Sequence, residues 1–517
     1  MKKILIVSTL SIAASFTLAA QEFKPNSGHQ FTPNSLVLSR SVYAGDASTV
    51  TVGQTLPPGC VAGTVTLPVI GGGTTTVKVT CATATADGTY PTVFENDTPD
   101  GSFGVTSPIF LDNISTEGKL FGTLAVPSNE IVTSFSSKSE LSLNLSDDGK
   151  SFTFVAYRGG PNFPTGPNLL DVSNSNTPGV VDPSNPVVTQ YYRAVAEVDA
   201  DGHITYTNGN AYSGNNGRAG IKANGKYYLT GNNNNGGLST KQLTTTQVGV
   251  NLVTSTGAEL LIPGQTPPVP PGINMIGDFS VTQVGYANPD KPGKDNNFRG
   301  LTIFNNTMYV TKGSGGNGIN TVYQVGNAGK LPSGTTAELE SLPITIPPGF
   351  PTSLASGVDQ NGNPAPVMFP FGLFFADANT LYVCDEGDGV AADAATGTGG
   401  IQKWSFSNGS WHLLYTMQDG LELGVQYPIS NYPSPATDGC RNLTGKVNGQ
   451  GTVELYAVTS TISASGDQGA DPNKLVKVTD LLRATSLPKG KGLGTFTTIR
   501  AAASGEVFRG VTFAPRK

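Results

Sequence analysis

Apolar and polar positions alternate along short segments that come in pairs. In each pair, an alternating apolar run leads into a polar turn with Asn, Asp or Gly, and a second alternating run follows. Alternation with a period of two on both sides of a short turn predicts a β-hairpin. The pattern recurs over seven segments, which are 140–159, 193–207, 218–231, 298–313, 369–387, 400–416 and 440–460.

Two consecutive hairpins form a four-stranded antiparallel sheet, and the chain repeats such a unit. The copies start roughly 70–80 residues apart, which is longer than common propeller repeats and leaves room for long loops. Repeated four-stranded sheets arranged radially form a β-propeller. We therefore predict an all-β fold, a single propeller of six blades, with a possible seventh blade either in the stretch 276–286 or in the long first unit. A string of β-sandwich domains is the competing architecture.

The last strand supports the propeller over the sandwiches. The segment "FRGVTFAP" at 508–515 closely repeats "FRGLTIFN" at 298–305. It is therefore expected to be the innermost strand of a sixth sheet, and no hairpin partner follows it. The segment 34–45, "NSLVLSRSVYAG", can supply that partner from the other end of the propeller. A blade built from both ends closes the ring and removes its open edges.

Three strings carry a resemblance to a known group of proteins. These are "FGLFFADANTLYVCDEG", "GGIQKWSFSNGSWHLLYTM" and the closing "FRGVTFAP". They resemble exported bacterial proteins of the β-propeller type, in which an FRG-x-x-F-AP string closes the propeller. The resemblance covers about 34–515 and implies the fold and export. It implies no reaction, because the group has no established activity.

The beginning of the chain has the pattern of a secretory signal peptide. Two lysines precede an apolar stretch that ends in Ala19 and Ala20, which predicts a signal peptide over 1–20. A polar leader over 21–33 and the propeller over 34–517 follow. We expect a protein that is secreted or periplasmic, monomeric and without a transmembrane anchor, since no later stretch is long and apolar enough to span a bilayer.

Composition narrows the partners further. The chain has 65 Gly and 36 Pro but only 13% charged residues, and its net charge is −6. The 31 basic residues form no run, which argues against nucleic acid and against an anionic membrane surface. The expected partners are an extracellular carbohydrate, polymer or protein, or a small anionic molecule.

The four cysteines predict two disulfides. Cys60 and Cys81 bracket two alternating runs around three glycines, so we expect a hairpin tied by its own disulfide within an excursion over 46–90 in the first blade. Cys384 ends a second strand, and Cys440 begins the first strand of the next unit. A disulfide between them would join two neighbouring blades.

Four arginines occupy corresponding positions in the predicted innermost strands: Arg218, Arg299, Arg441 and Arg509. The other two units place Glu140 and Phe371 there. Guanidinium groups near one level of a narrow channel attract anions, so these residues are candidates for an anion or ligand site. The competing interpretation is that each arginine braces the ring, either by binding backbone carbonyl oxygens or by pairing with a carboxylate, with Glu140, Asp295, Asp385, Glu386, Asp438 and Glu506 as candidate partners.

An acidic loop follows the strand that ends at Cys384. Asp385, Glu386 and Asp388 supply the oxygen ligands that suit Ca²⁺, and 95–101 is similar. Neither loop has the spacing of a defined calcium loop, and acidic turns with glycine are common between strands. Calcium is therefore the only cofactor suggested, and no cofactor is required by the pattern.

The sequence leaves open whether the protein is an enzyme. Its histidines, His29, His203 and His412, have no Ser or Cys nucleophile beside them, and "GSGGNG" at 313–318 leads into a strand, which rules out a dinucleotide loop. The first hypothesis is a binding propeller that presents its loops, including the Asn-rich 231–237, to an extracellular ligand. The alternative is a hydrolase or lyase of lactonase or phosphatase type at the channel, with Asp385 and Glu386 as base or metal ligands.

Overall fold

The structure is a computed structural model. It describes residues 22–23, 31–42, 55–56, 60–68, 73–79, 81–83, 106–134, 138, 140–158, 175–178, 190–232, 257–264, 275–290, 295–464, 468–490 and 492–517. The predicted signal peptide over 1–20, the acidic loop at 95–101 and most of the Asn-rich 231–237 lie outside these residues.

Strands dominate the described residues. The strands of the first half are β1 (Glu22–Phe23), β2 (Leu36–Val42), β3 (Thr55–Leu56), β4 (Gly63–Pro68), β5 (Thr74–Val79), β6 (Ala82–Thr83), β7 (Thr106–Ser107), β8 (Ile109–Ile114), β9 (Leu120–Ala125), β10 (Thr133–Ser134), β11 (Asn144–Leu145), β12 (Ser151–Arg158), β13 (Tyr192–Asp199), β14 (Ile204–Gly209), β15 (Gly217–Ala223), β16 (Lys226–Gly231) and β17 (Ala258–Leu261). The strands of the second half are β18 (Leu301–Phe304), β19 (Thr307–Lys312), β20 (Thr321–Val325), β21 (Ile344–Thr345), β22 (Pro370–Asp377), β23 (Thr380–Asp385), β24 (Gly400–Ser407), β25 (Ser410–Met417), β26 (Ala436–Val447), β27 (Thr452–Ile462), β28 (Lys474–Leu481), β29 (Thr497–Ala501) and β30 (Glu506–Phe513). A helix α1 (Thr336–Glu340) and a 3₁₀ helix (Val281–Val284) complete the elements.

Six sheets among the described residues form the blades of a propeller, as predicted. Blade 1 has the strand order β1-β9-β8-β2-β30, and blades 2 to 6 are β11–β14, β15–β17, β18–β21, β22–β25 and β26–β29. Blade 1 thus has five strands and blade 3 has three, whereas we expected four in each. The seventh blade at 276–286 is wrong: this stretch contains the 3₁₀ helix, whose Val281 is buried in the cluster between blades 3 and 4.

The ring closes in blade 1 through the pairing predicted from the tail. The strand β2 runs antiparallel to β30, from the pair Leu36–Phe513 to the pair Val42–Glu506. On its other side β2 pairs with β8, which pairs with β9. The C-terminal strand is therefore the innermost strand of a blade whose other strands come from the first quarter of the chain.

The apolar core is divided among the six junctions between blades. Each junction holds its own cluster of buried side chains, from the cluster shared by blades 1 and 2 to the one shared by blades 6 and 1. Blades 4 and 5, for example, meet through Phe350, Phe375 and Trp404, with the rings of Phe350 and Trp404 4.3 Å apart. Each blade therefore packs against both of its neighbours, while the outermost strands keep exposed positions, such as Leu413 in β25.

Glycines let neighbouring innermost strands approach at the axis. A Cβ atom on Gly300 would lie 1.8 Å from the carbonyl oxygen of Phe371, and one on Gly372 would lie 2.6 Å from that of Arg441. One on Gly510 would lie 2.5 Å from the carbonyl oxygen of Leu141. The glycine of the repeated FRG string is thus required by backbone contact between blades.

Polar side chains tie the second strand of one blade to the innermost strand of the next. Four such hydrogen bonds run from a hydroxyl group to a backbone carbonyl oxygen: Ser39 to Leu141 (2.8 Å), Thr153 to Gly220 (2.6 Å), Thr230 to Arg299 (3.3 Å) and Thr311 to Phe371 (2.8 Å). Between blades 6 and 1, Asn473 donates to the carbonyl oxygen of Phe508 and accepts from its amide. The tie between blades 5 and 6 is the disulfide Cys384–Cys440, with the Cα atoms 5.3 Å apart.

The excursion in the first blade has the expected hairpin and disulfide. The strands β4 and β5 pair antiparallel, as do β3 and β6. Cys60 and Cys81 are joined, with the Cα atoms 5.9 Å apart. At the end of the predicted leader, Phe31 is buried against Phe152 of blade 2. None of the described helices is long and apolar enough to cross a membrane.

Removing the disulfide between blades should destabilise the ring. Replacing Cys384 and Cys440 by alanine opens a loop of 56 residues, which is expected to lower the free energy of unfolding by about 4 kcal/mol. Chemical denaturation monitored by near-UV circular dichroism measures this. The matched control replaces Cys60 and Cys81, whose disulfide lies within the excursion and should leave the main transition nearly unchanged. Equal losses in both variants would contradict a role at the junction.

The close approach at the axis makes a second prediction. Gly300→Ala should cost about 2–3 kcal/mol, because the added methyl group overlaps a backbone oxygen of the next blade. Gly449→Ala is the control, since no heavy atom lies within 4 Å of the position of its Cβ, and it should change stability by less than about 0.5 kcal/mol. Thermal melts of both variants test the difference, and similar melting temperatures would show that the backbones are not in contact.

Candidate functional site

The predicted site residues lie toward one face of the ring. We name the upper face as the side on which the second strands of the blades end, at Val42, Arg158, Gly231, Lys312, Asp385 and Ile462. The innermost strands of blades 3 to 6 begin on the same side, because they run antiparallel to those second strands. The connection that carries the excursion leaves from this face, since it follows Val42.

The axis itself is nearly closed. Innermost strands from four blades line a cavity there of only about 10 Å³, and its walls include Ser142, Gly300, Phe371 and Asn442. This volume is at the lower limit for a single water molecule. Between these four strands there is thus room for about one water molecule and none for a substrate.

The four predicted arginines are all buried, and the contacts observed direct three of them to different partners. Their exposed fractions are 8% or less. The Nε of Arg509 donates to the hydroxyl group of Ser41 at 2.9 Å. The guanidinium group of Arg299 lies over the ring of Phe371, 5.7 Å from its centre. These contacts fit the bracing interpretation.

Arg441 belongs to a buried ion-pair group. Its Nε donates to Oε2 of Glu386 at 3.0 Å, and Lys138 reaches Oε1 of the same carboxylate at 3.2 Å. Both cations also contact Gln468. The Nη2 atom of Arg441 has no hydrogen-bond partner among the described residues. Glu386 therefore already occupies the guanidinium edge on which an external carboxylate could bind.

The three predicted calcium ligands are not brought together. All four donors to Asp385 are intramolecular, and they are the amides of Phe369 and Gly387 and the side chains of Thr398 and Gln402. Burial raises the pKa of Asp385 to about 6. Glu386 points to Arg441, and the exposed Asp388 accepts only from the amide of Val390. Among the described residues no group of three His, Cys, Asp or Glu side chains could hold a metal ion.

The other candidate carboxylates have diverse partners. Glu140 accepts from the hydroxyl group of Thr133 and the amide of Ser134, and burial raises its pKa. Glu506 pairs with Arg40 at 2.6 Å and so belongs to blade 1. The bracing interpretation holds directly for one predicted pair, Glu386 with Arg441.

Two buried cations on this face were not found from the sequence. Arg193 donates to the backbone carbonyl oxygens of Ser175, Tyr191, Tyr212 and Asn215 and stacks on the ring of Tyr157. Lys312 donates to Ser314 and Asn320, and burial lowers its pKa to about 7. The sequence signal that could have found Lys312 is its place in the repeat, since it is the last residue of the second strand β19, as Asp385 is of β23.

Asp438 is a buried carboxylate with little compensation. It is 2% exposed, and its Oδ2 accepts from the amide of Gly389 at 2.7 Å. Burial, together with the nearby carboxylates of Asp388, Glu386 and Asp385, raises its pKa to about 7. The ionised form is therefore unfavourable in the folded protein.

No protein-family model and no curated protein matches this chain. Among solved structures, the acylaminoacyl peptidase of Pyrococcus horikoshii is 8% identical, covers 84% of this chain and 47% of its own, and has a TM-score of 0.29. The β-propeller domain of the Trilobed protease from Pyrococcus furiosus is 9% identical over 82% of this chain and 88% of its own, with a TM-score of 0.29. The apocarotenoid oxygenase of Synechocystis is 9% identical over 89% of this chain and 66% of its own, with a TM-score of 0.23. The chain spans about half the length of the two peptidase structures it matches, and similarity at this level has no bearing on activity.

Asp438 makes the stability of the protein depend on pH. Because its pKa is about 7 when folded and about 3.9 when unfolded, the folded state holds the proton more tightly, and stability falls as pH rises from about 4 to 7. Asp438→Asn keeps an acceptor for Gly389 and removes the charge. The variant should therefore be more stable than the wild type by about 2–4 kcal/mol near pH 8, with little difference near pH 4.

Chemical denaturation at both pH values measures this difference. Asp377→Asn, at the far end of the innermost strand of the neighbouring blade 5, changes the net charge equally and is the control. A difference between Asp438→Asn and the wild type that does not vary with pH would contradict the assignment.

Proposed function

We propose that the protein is an exported β-propeller that acts as a binding module for an extracellular ligand through its upper face. The observation that carries this proposal is the closed axis, where the cavity between the innermost strands is only about 10 Å³. The blades are also tied by a disulfide, which persists in oxidising compartments outside the cytoplasm. A rigid ring with long connections on one face suits recognition by loops.

Export rests on the sequence pattern of residues 1–20, and the two disulfides are compatible with it. Membership of the exported bacterial propeller group is part of the same proposal, since the closing FRG string occupies the innermost strand of blade 1. The repeated string thus has a structural reason, which is strand closure, and it does not specify a ligand.

The ion pairs favour binding over the hydrolase or lyase alternative. The catalytic pair of that alternative was Asp385 and Glu386. The oxygens of Asp385 accept four intramolecular hydrogen bonds, and both oxygens of Glu386 face cations. A general base must have a lone pair directed at its substrate, and neither carboxylate offers one without rearrangement.

The anionic ligand predicted from the arginines stays a prediction. Its support is the excess of cations over carboxylates in the direct contacts of Arg441 and Lys138 with Glu386. Against it stand the nearby carboxylates of Asp385, Asp388 and Asp438. Titration of citrate into the wild type and into Arg441→Gln tests this prediction. Saturable binding that the variant loses would support an anion site at Arg441.

The binding proposal predicts retention without turnover. The purified protein should bind saturably to at least one member of a panel of immobilised polysaccharides, namely neutral dextran, anionic polygalacturonate and cationic chitosan. It should not accelerate the hydrolysis of nitrophenyl esters or phosphates above the buffer rate. Depletion from solution and absorbance measure the two outcomes. Turnover of a nitrophenyl substrate without any saturable retention would refute the binding module.

A further inference from the structure

A separate cavity of about 110 Å³ lies on the upper face, between the loop that follows β23 and the start of β26. Its walls are formed by Val367, Phe369, Gly387, Asp388, Ala394, Gly397, Thr398, Gly399 and Asp438. The volume is somewhat smaller than the roughly 150 Å³ cavity that holds benzene. It is therefore large enough for a short carbon chain and much larger than one water molecule requires.

The two carboxylates of this cavity have no cation beside them among the described residues. Of the two oxygens of Asp438, Oδ2 receives a hydrogen bond from the amide of Gly389, and Asp388 accepts one from the amide of Val390. No lysine or arginine among the described residues forms an ion pair with Asp438 or Asp388. A buried carboxylate without a cation is costly, and the raised pKa of Asp438 expresses that cost.

The other residues that line the cavity, apart from Thr398, have apolar side chains or are glycines. Val367, Phe369 and Ala394 provide carbon surfaces, and the glycines contribute backbone without side chains. The hydroxyl group of Thr398 donates to Asp385 at 3.1 Å, so that its lone pairs can accept a further hydrogen bond. A hydrated metal ion would need oxygen ligands on several sides, whereas the lining of this cavity combines two carboxylates with the hydrocarbon of Val367, Phe369 and Ala394.

We propose that this cavity binds a primary alkylammonium group, with the ammonium at Asp438 and Asp388 and the carbon chain against Val367 and Phe369. The proposal rests on the proposed binding function and names the chemistry of the ligand. The ammonium has three donors, which match the Oδ1 atom of Asp438, Asp388 and the hydroxyl oxygen of Thr398. The side chain of a lysine and one end of a free diamine share this chemistry.

Saturation-transfer NMR with n-butylamine tests the proposal. The butyl protons should show a saturable signal with the wild-type protein near pH 8, and 1-butanol should not. The affinity should fall at least about tenfold near pH 5.5, since Asp438 is then protonated. Acetyl-lysine methylamide and cadaverine, titrated separately, distinguish a side chain of a protein from a free diamine.

Two variants and one control keep the test independent of folding. Asp438→Asn removes the charge and should weaken butylamine binding at least tenfold. Val367→Phe enlarges a half-buried side chain of the cavity wall without altering a carboxylate, and it should weaken butylamine binding as well. Asp377→Asn should bind like the wild type. Thermal melts of all three report whether the fold is kept.

Three results would overturn the ammonium site: equal butylamine signals in Asp438→Asn and the wild type, equal binding of butanol, or displacement of butylamine by Ca²⁺ at a lower concentration than by cadaverine. The polysaccharide panel separates this failure from that of the proposed function. Retention on a polysaccharide without amine binding refutes only the ammonium site. Amine binding together with turnover and no retention refutes only the binding module.

Discussion

The contact between backbones of neighbouring innermost strands at the axis is the constraint on which the architecture depends. At Gly300, Gly372 and Gly510 there is no space for a Cβ atom. Neighbouring innermost strands approach each other closely there, and the buried apolar side chains of the described residues pack mainly in six clusters, one at each junction between blades. Each blade is then stabilised only by its neighbours, so the ring needs β30 to complete blade 1 and the last junction.

In blades 3, 4 and 5 the last-but-one residue of the second strand links its blade to the next blade, and the kind of bond differs from one junction to another. Thr230, Thr311 and Cys384 stand at corresponding places near the end of a second strand. The two threonines donate to a carbonyl oxygen of the next innermost strand, and Cys384 forms a covalent bond to Cys440. A hydroxyl group contributes about 1 kcal/mol, while a disulfide constrains the unfolded chain. The junction between blades 5 and 6 is thus the most strongly tied, and it also carries Glu386, Arg441 and Asp438.

Local patterns were enough to predict the hairpins, the closing strand and both disulfides, because each depends on alternation or on a repeated string. The polar partners were predicted poorly. Arg441 and Glu386 are 55 positions apart, and Lys138 lies 248 positions from Glu386, so no local signal joins them. The alternation in 276–286 was misleading as well. There Ser280 caps a 3₁₀ helix, and Gly277 and Gly285 adopt positive φ angles that end an extended run.

The buried charged groups of the upper face differ in how many partners of opposite charge or hydrogen-bonding groups surround them. Arg193 is held by backbone carbonyl oxygens, and Glu386 lies between two cations. Asp385 has four donors, and such groups are stabilised within the fold and need nothing from outside. Asp438 differs, because burial and three nearby carboxylates oppose its charge while one amide supports it. Asp438 also forms part of the wall of a cavity, so that a cation bound there would supply the counter-charge that the described residues do not provide. Recognition on this face is therefore expected to be governed by that carboxylate more than by the arginines at the axis.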